Sequence, residues 1–167
     1  MDILNHSVEL VKVENLKTHP DNPRQGNIDL LSESITTNGF WGTIVAQKST
    51  GFVLAGNHRL IAAQKEKAPK IPVVWVDVDD EKAKRILIAD NRLSDLGNTD
   101  NTLLAKILDE LKETELAFTG TGYNSFDVDT LFSQLDLSKV DFPEFEESIA
   151  DDVKTIECPE CKHQFIP

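Results

Sequence analysis

Four consecutive residues in the first half of the chain have the types and the spacing to bind a phosphate. Gly56, Asn57, His58 and Arg59 follow a short apolar run that ends at Ala55, and helix-forming residues come after them. A helix start leaves backbone N–H groups unpaired and carries partial positive charge, and a preceding glycine lets an anion approach the backbone closely. Arg59 adds a planar, permanently charged fork that suits phosphate. The turn predicts a nucleotide-binding domain. The alternative is a plain strand-to-helix junction, because short glycine motifs match often.

A second cation lies in an irregular loop upstream. Residues 18–26 contain two prolines together with Asn, Asp and Gly, a composition typical of loops. Arg24 is the cation of this loop. Most arginines in such loops are solvated, but Arg24 could reach a ligand bound at a neighbouring turn.

The last motif with metal-binding chemistry is Cys158-Pro159-Glu160-Cys161-Lys162-His163. Its spacing fits one knuckle of a zinc ribbon, with Cys158, Cys161 and His163 as ligands. A structural zinc site needs four ligands, and the chain has no second cysteine pair. Three alternatives stay open: two chains share one zinc as a homodimer, another group completes the site, or the knuckle is vestigial. A thioredoxin-type redox role is less favoured, because the pair does not open a helix after a strand.

The charge of the chain is concentrated in its second part. The formal net charge is −12; residues 1–97 hold 12 Lys and Arg against 13 Asp and Glu, and residues 98–167 hold 5 against 16. The chain therefore lacks the basic surface of a stand-alone DNA-binding protein. The acidic part either keeps the protein soluble or faces a basic partner.

The sequence also favours one cellular compartment. No apolar run approaches the length of a membrane span, so no membrane partner is expected. The first residues lack the basic-then-apolar pattern of a secretory signal, and the two cysteines form one Cys-x-x-Cys motif rather than a disulfide framework. We expect a cytoplasmic protein in a reducing environment.

Hydrophobic periodicity predicts alternating strands and helices up to about residue 97. We expect strands at 8–16, 43–47, 52–55 and 71–78, with the middle two as a hairpin, and helices at about 27–38, 58–67 and 80–91. The first helix should be capped by Asn27 or Asp29. The aromatic pair Phe40-Trp41 is expected to pack under the sheet.

Past Gly97 the pattern becomes helical and then polar. Residues 100–111 carry leucine and isoleucine at amphipathic spacing, and a short helix is expected from Phe126 to Leu137. Residues 138–155 are acidic and interrupted by proline, as a linker would be. We therefore predict a first domain at 1–97, a helical extension at 98–137, and an acidic linker with a zinc-knuckle-like tail at 138–167.

The order and spacing of these pieces resemble the ParB/sulfiredoxin domain. The matching segments are Asp21–Arg24, Asn38–Phe40, Ile44–Ala46, Leu54–Ala63, Ile71–Val74 and Ile88–Leu96. Residues 98–137 also look like the helical extension of phage-type ParB-like proteins. The resemblance implies an α/β (α+β) fold in which a small mixed sheet is surrounded by helices.

In that family the Gly-x-x-Arg turn binds nucleotide phosphates. Partition ParB proteins carry Gly-Glu-Arg-Arg at this turn and bind CTP with magnesium. The resemblance implies that Gly56, Asn57, His58 and Arg59 bind phosphates here, with help from Arg24. It also implies that an acid–amide pair, Asp90 and Asn91, faces magnesium and a phosphate oxygen. The family's Gln-Pro after the first helix is replaced by Trp41-Gly42-Thr43, so we expect the nucleotide to be either CTP or ATP rather than CTP alone.

The same turn separates this chain from sulfiredoxin. In sulfiredoxin it reads Gly-Cys-His-Arg, and the cysteine performs the chemistry. Asn57 occupies that position here, and an amide is not a nucleophile. The resemblance therefore excludes a sulfinic acid reductase and leaves the phosphate-binding residues His58 and Arg59.

Three functions remain in view. The first is a nucleotide-binding module in a DNA-related process, contacting DNA directly or through a protein partner, with slow nucleotide hydrolysis as an option. The second is a metal-dependent nuclease on the same scaffold, with Asp90 and Asp95 as its acids. The third is a non-catalytic adaptor whose acidic half binds a DNA-modifying or packaging partner.

Overall fold

The computed structural model describes residues 3–4, 7–135, 156–157 and 164–165. By its internal contacts the chain divides into two compact units, residues 1–135 and 136–167. In the second unit, β6 (Ile156–Glu157) pairs antiparallel with β7 (Gln164–Phe165). The predicted zinc ligands Cys158, Cys161 and His163 lie outside the described residues.

A five-stranded mixed sheet organises the first unit. Its strands are β1 (Glu9–Lys12), β2 (Lys17–Thr18), β3 (Ile44–Gln47), β4 (Phe52–Ala55) and β5 (Lys70–Val76). Their spatial order is β1-β5-β3-β4-β2. The β1/β5 and β3/β4 pairs are antiparallel, and the β3/β5 and β2/β4 pairs are parallel. The predicted small mixed sheet and the predicted β3–β4 hairpin are confirmed.

Five α-helices accompany the sheet in residues 7–135. They are α1 (Ile28–Asn38), α2 (Asn57–Lys65), α3 (Asp80–Asp95), α4 (Asn101–Lys112) and α5 (Ser125–Gln134). Asn27 caps α1 through its side-chain oxygen, as predicted. Among the helices of the described residues, none combines the length and the apolar character needed to cross a membrane.

Both faces of the sheet are buried, and neighbouring residues of each central strand serve opposite faces. Val53 packs in one core cluster with Leu60 of α2, whereas Leu54 packs in the other with Ala83 of α3. This is the period-two alternation that a strand imposes on its side chains. The sheet is therefore a layer between α2 and α3, and the carboxyl end of β4 leads directly into α2.

The first predicted strand is interrupted. Residues 8–16 form β1, one turn of 3₁₀ helix at Val13–Asn15, and then the approach to β2. Val13 and Leu16 are both buried, and a 3₁₀ turn brings residues three apart onto the same side. A continuous strand would have placed these two side chains on opposite faces. The prediction of a single strand was therefore wrong.

The third helix continues four residues past the predicted end at Asn91. No glycine or proline occurs between Asp80 and Gly97, so nothing in the backbone stops α3 earlier. Asp90 and Asn91 consequently lie within the last turns of the helix rather than at its end. Asp90 is exposed.

A surface ion pair joins the first two helices. Lys65 of α2 donates to the carboxylate of Asp29 on α1. This hydrogen bond, with the Coulomb attraction behind it, lowers the pKa of Asp29 from its ordinary value of 3.8 and raises the pKa of Lys65. The pair therefore adds stability above the ordinary carboxyl pKa, and that contribution is lost as the pH falls through the lowered pKa of Asp29.

We expect replacement of the lysine, Lys65→Met, to return the pKa of the Asp29 carboxyl toward its ordinary value, because both lowering causes disappear. A side-chain carboxyl NMR titration measures this directly. Arg85→Met is the matched control, since Arg85 pairs with Glu81 elsewhere on the surface. An unchanged Asp29 titration in Lys65→Met would contradict the assignment.

A buried amide holds the junction between β4 and α2. The Asn57 side chain is 6% exposed; its Oδ1 accepts from the His19 backbone N–H at 2.8 Å, and its Nδ2 donates to the Val53 carbonyl at 3.0 Å. Leaving a buried backbone group unpaired costs about 1–3 kcal/mol. The amide therefore ties three segments together at one point.

We expect Asn57→Ala to lower the free energy of unfolding by about 2–4 kcal/mol, because it orphans two buried backbone groups at once. Urea denaturation followed by circular dichroism measures the loss. Asn101→Ala, at the exposed start of α4, should change stability by no more than about 0.5 kcal/mol. Equal effects in the two variants would show that Asn57 does not hold the junction.

Candidate nucleotide-binding cleft

One open cleft, with a volume of about 270 Å³, gathers the residues that the sequence singled out. Its lining includes all seven predicted nucleotide-binding residues: Arg24, Gly56, Asn57, His58, Arg59, Asp90 and Asn91. They come from the loop before α1, the start of α2 and the last turns of α3. The volume of the cleft is just below the usual range for small-molecule sites, about 300–1,000 Å³. That the seven predicted residues contact a ligand stays a prediction.

The start of α2 presents free backbone donors to the cleft. Gly56 takes a left-handed conformation, φ 91°, and α2 has no side-chain cap. The other four helices are each capped by an Asn or Asp side chain. Gly56 accepts from the Leu60 N–H at 3.0 Å, which leaves the N–H groups of the three residues between them without an intrahelical partner. This end of α2 can therefore receive an anion.

The left-handed glycine is also sterically required. A Cβ on Gly56 would lie 3.3 Å from Cγ1 of Ile44 and 3.6 Å from the Arg59 guanidinium. A side chain would therefore meet both the sheet and the arginine, besides the cost of a positive φ.

Arg59 is fixed on two sides. Its Nη1 donates to the Thr43 carbonyl at 2.6 Å, and its guanidinium carbon lies 5.5 Å from the centroid of the Trp41 ring. A guanidinium has five N–H donors, so one hydrogen bond to a carbonyl leaves others for a ligand. A cation held over an aromatic ring is preorganised rather than free to rotate.

Arg24 joins its loop to α3. Its Nη1 donates to the Asn91 carbonyl at 3.1 Å, and its Nη2 lies 3.0 Å from the carboxylate of Asp95. Asn91 Nδ2 also donates to Asn22 Oδ1 at 3.1 Å. The loop therefore lies against the last turns of α3 and forms one wall of the cleft.

His58 closes the same wall from the side of α2. Its Nε2 lies 3.1 Å from the Arg24 carbonyl, and because a carbonyl only accepts, this nitrogen carries a proton. Gly26 packs on the imidazole, since a Cβ there would lie 2.9 Å from the ring. His58 thus lines the cleft and also holds the loop in place.

Asn57 differs from its neighbours, because its side chain is committed to His19 and Val53. What it can offer a ligand is its backbone N–H. The side chain instead holds the turn in shape.

The possible metal ligands in the cleft are Asp90 and Asn91. Asp90 is exposed and lines the cleft beside Asn91. In the described part of the chain, no three His, Cys, Asp or Glu side chains are grouped to hold an ion together. Asp127 forms a capping box with Asn124 at the start of α5.

Sequence reasoning did not assign five of the residues that line the cleft: Asn22, Leu31, Trp41, Leu54 and Ser94. Trp41 was expected to pack under the sheet, but it is 49% exposed and lines the cleft beside Arg59, whereas Phe40 packs against the core as expected. A signal was present, because Trp41-Gly42-Thr43 replaces a polar motif that the resembling family has at this place.

Comparison with solved structures supports the fold. The chain is similar to the C-terminally truncated chromosome-partitioning protein ParB from Caulobacter crescentus in complex with CTP-γ-S, with a TM-score of 0.64 and 22% identity over 78% of this chain and 81% of that one. Sulfiredoxin from Arabidopsis thaliana matches at a TM-score of 0.42 and 21% identity, over 49% of this chain and 98% of that one. No curated protein shows significant similarity.

The family is shown by sequence. The model of the ParB N-terminal domain family matches residues 2–92, a span that contains the whole sheet, α1, α2 and most of α3. This is more than half of the chain, and the protein therefore belongs to the ParB N-terminal domain family.

Proposed function

We propose that the cleft binds the phosphates of a nucleoside triphosphate, and that the protein is a nucleotide-binding module in a DNA-related process. The observation that carries this proposal is the convergence of three separate segments on one cleft. The uncapped start of α2, two arginines and one exposed acid, Asp90, all line it.

The phosphates would lie against the start of α2. The backbone N–H groups of Asn57, His58 and Arg59 point where the helix dipole favours negative charge. The Arg59 guanidinium supplies charge-assisted hydrogen bonds from its remaining donors. No side chain has to be withdrawn from the core to make these contacts.

Arg24 would contribute by exchanging partners. Its ion pair with Asp95 is exposed on both sides, and exposed pairs contribute only about 0–1 kcal/mol. A triphosphate carries more charge than one carboxylate, so it can compete for Arg24. The loop would then keep its backbone contact with His58.

CTP is the first nucleotide to test, because the Caulobacter ParB of similar fold was crystallised with a CTP analogue. ATP is the second, because Trp41 lines the cleft at the place where the resembling family has Gln-Pro, so the preference for the base can differ. Phosphate release from the bound nucleotide would then measure whether it is hydrolysed.

Magnesium fits the donor set of the cleft. Asp90 offers a carboxylate and Asn91 an amide oxygen, and Mg²⁺ prefers oxygen ligands. Magnesium usually takes one or two carboxylates together with waters and substrate phosphates, so a preformed cage is unnecessary. Asp90 and Asn91 would hold the ion, which neutralises phosphate charge when it is bound.

The DNA link rests on family membership, and contact with DNA is direct or through a protein partner. The acidic residues 98–167 suit a protein partner better than a phosphate backbone. The nuclease hypothesis gains no further support, because Asp95, the second acid that it requires, is paired with Arg24. The adaptor hypothesis is the one that remains if no nucleotide binds.

We expect Arg59→Ala to weaken binding of CTP with magnesium about 10- to 100-fold, since hydrogen bonds to charged groups contribute about 1.5–3 kcal/mol. Isothermal titration calorimetry of CTP, and separately ATP, measures the dissociation constant. Arg59→Lys should recover only part of the loss, because it keeps the charge without the fork.

Arg85→Ala is the matched control for this measurement. Arg85 is an exposed arginine of α3 that pairs with Glu81 and does not line the cleft. The Arg85→Ala variant loses the same charge as Arg59→Ala, so its affinity for the nucleotide should equal that of the wild type. Wild-type protein that is folded and binds neither nucleotide would refute the proposed function.

A second expectation concerns the metal. Asp90→Asn should weaken the dependence of nucleotide binding on magnesium, because the ion loses its carboxylate ligand and keeps only Asn91 and the phosphates. The ratio of dissociation constants with chelator and with magnesium should be smaller in Asp90→Asn than in the wild type. Asp109→Asn, on the exposed side of α4, should keep the wild-type ratio. A full magnesium effect in Asp90→Asn would exclude this residue as a ligand.

A further inference from the structure

The backbone around Trp41 does not by itself fix the indole. The segment between α1 and β3 has no regular secondary structure, and left-handed glycines flank the two aromatic residues, Gly39 at φ 80° and Gly42 at φ 82°. With its ring half exposed, Trp41 gains little from burial. Its orientation must therefore depend on specific contacts.

Those contacts form a chain of side-chain hydrogen bonds that ends at a distant loop. Trp41 Nε1 donates to Ser34 Oγ at 3.3 Å, and Asn38 Nδ2 donates to the same oxygen at 3.4 Å. Asn38 Nδ2 also donates to the Gly120 carbonyl at 3.1 Å. A hydroxyl oxygen accepts two hydrogen bonds and an amide nitrogen donates two, so both groups can make these bonds together.

The distant end of the chain is a closely fitted glycine. Gly120 is buried with φ 79°, and its N–H donates to Glu33 Oε1 at 2.9 Å. A Cβ on Gly120 would lie 2.9 Å from Asn38 Nδ2 and from Thr37 Cβ. The loop between α4 and α5 therefore lies directly on α1 at this point, and only glycine fits.

The near end of the chain is the candidate phosphate-binding arginine. The Arg59 guanidinium contacts the Trp41 ring and the Thr43 carbonyl, so both of its supports belong to the segment that carries Trp41. If this segment shifts, Arg59 loses both supports. A long side chain that is free in solution must then be ordered by the ligand, which weakens binding.

We propose that the loop carrying Gly120 is a positioning element of the phosphate-binding cleft. It acts through Asn38, Ser34 and Trp41, which together with Gly120 we call the Trp41 relay. The proposal rests on the proposed function for its effect on affinity. Its structural half, that Gly120 holds the indole, stands independently of any nucleotide.

The structural half is tested by NMR of the indole N–H groups in the full chain. The protein has two tryptophans, hence two indole signals, and Trp41→Phe identifies which one belongs to Trp41. Gly120→Ala should shift the Trp41 signal and leave the Trp75 signal in place. Gly122→Ala is the matched control: it has a similar backbone, φ 84°, but its Cβ would meet nothing within 4 Å.

The functional half is tested by the affinity for whichever nucleotide binds. Gly120→Ala should raise the dissociation constant about 2- to 10-fold, the cost of ordering one long side chain, and Gly122→Ala should not. In a Trp41→Leu background, Gly120→Ala should add nothing further, because the relay is already broken. Asn38→Ala, which removes the shared donor without backbone strain, should reproduce both the shift and the loss, and serves if Gly120→Ala does not fold.

Two results would overturn the proposal. One is an unshifted Trp41 indole signal in folded Gly120→Ala and Asn38→Ala proteins. The other is a loss of affinity that simply adds to that of Trp41→Leu, which would indicate a general effect on stability. If the wild type binds no nucleotide, the proposed function fails, and the indole signal alone decides whether Gly120 holds Trp41.

Discussion

The candidate site depends on one buried side chain. The Asn57 amide bonds the His19 backbone on one side and the Val53 carbonyl on the other, so it joins the loop that carries Arg24 to the strand that leads into α2. Aspartate could accept from His19 but could not donate to Val53, and alanine could do neither. Because α2 starts at Asn57, the free N–H groups of the first turn of α2 face the space that the loop encloses.

The cleft that results is balanced in charge rather than strongly basic. Arg24 is paired with Asp95, and Arg59 is held by a carbonyl and an aromatic ring. The exposed Arg24–Asp95 pair is weak enough that a phosphate could replace it, whereas the two contacts of Arg59 hold its guanidinium in place and leave other donors for a ligand. The helix start supplies the rest of the attraction without any net charge. A site built this way suits a chain whose overall charge is negative.

Much of this arrangement could be predicted from the sequence. The β3–β4 hairpin, the cap Asn27 and the turn at Gly56 follow from local patterns, and the structure has them where they were expected. The two wrong predictions, the continuous first strand and the buried Trp41, have local causes as well. Val13 and Leu16 are both buried because a 3₁₀ turn intervenes, and the half-exposed Trp41 donates its indole N–H to Ser34 of the preceding helix.

The sequence by itself determined the elements and the residue types that can bind a phosphate, because helix starts, glycine turns and strand periodicity are properties of neighbouring residues. It also identified the family, through the order and spacing of those pieces. Only the tertiary structure decided what each residue does in the cleft. In the structure the Asn57 side chain points inward, Arg24 contacts α3, and Gly120 lies against α1. These contacts join residues far apart in the chain, so they depend on how the sheet and the helices pack and cannot be read from local patterns.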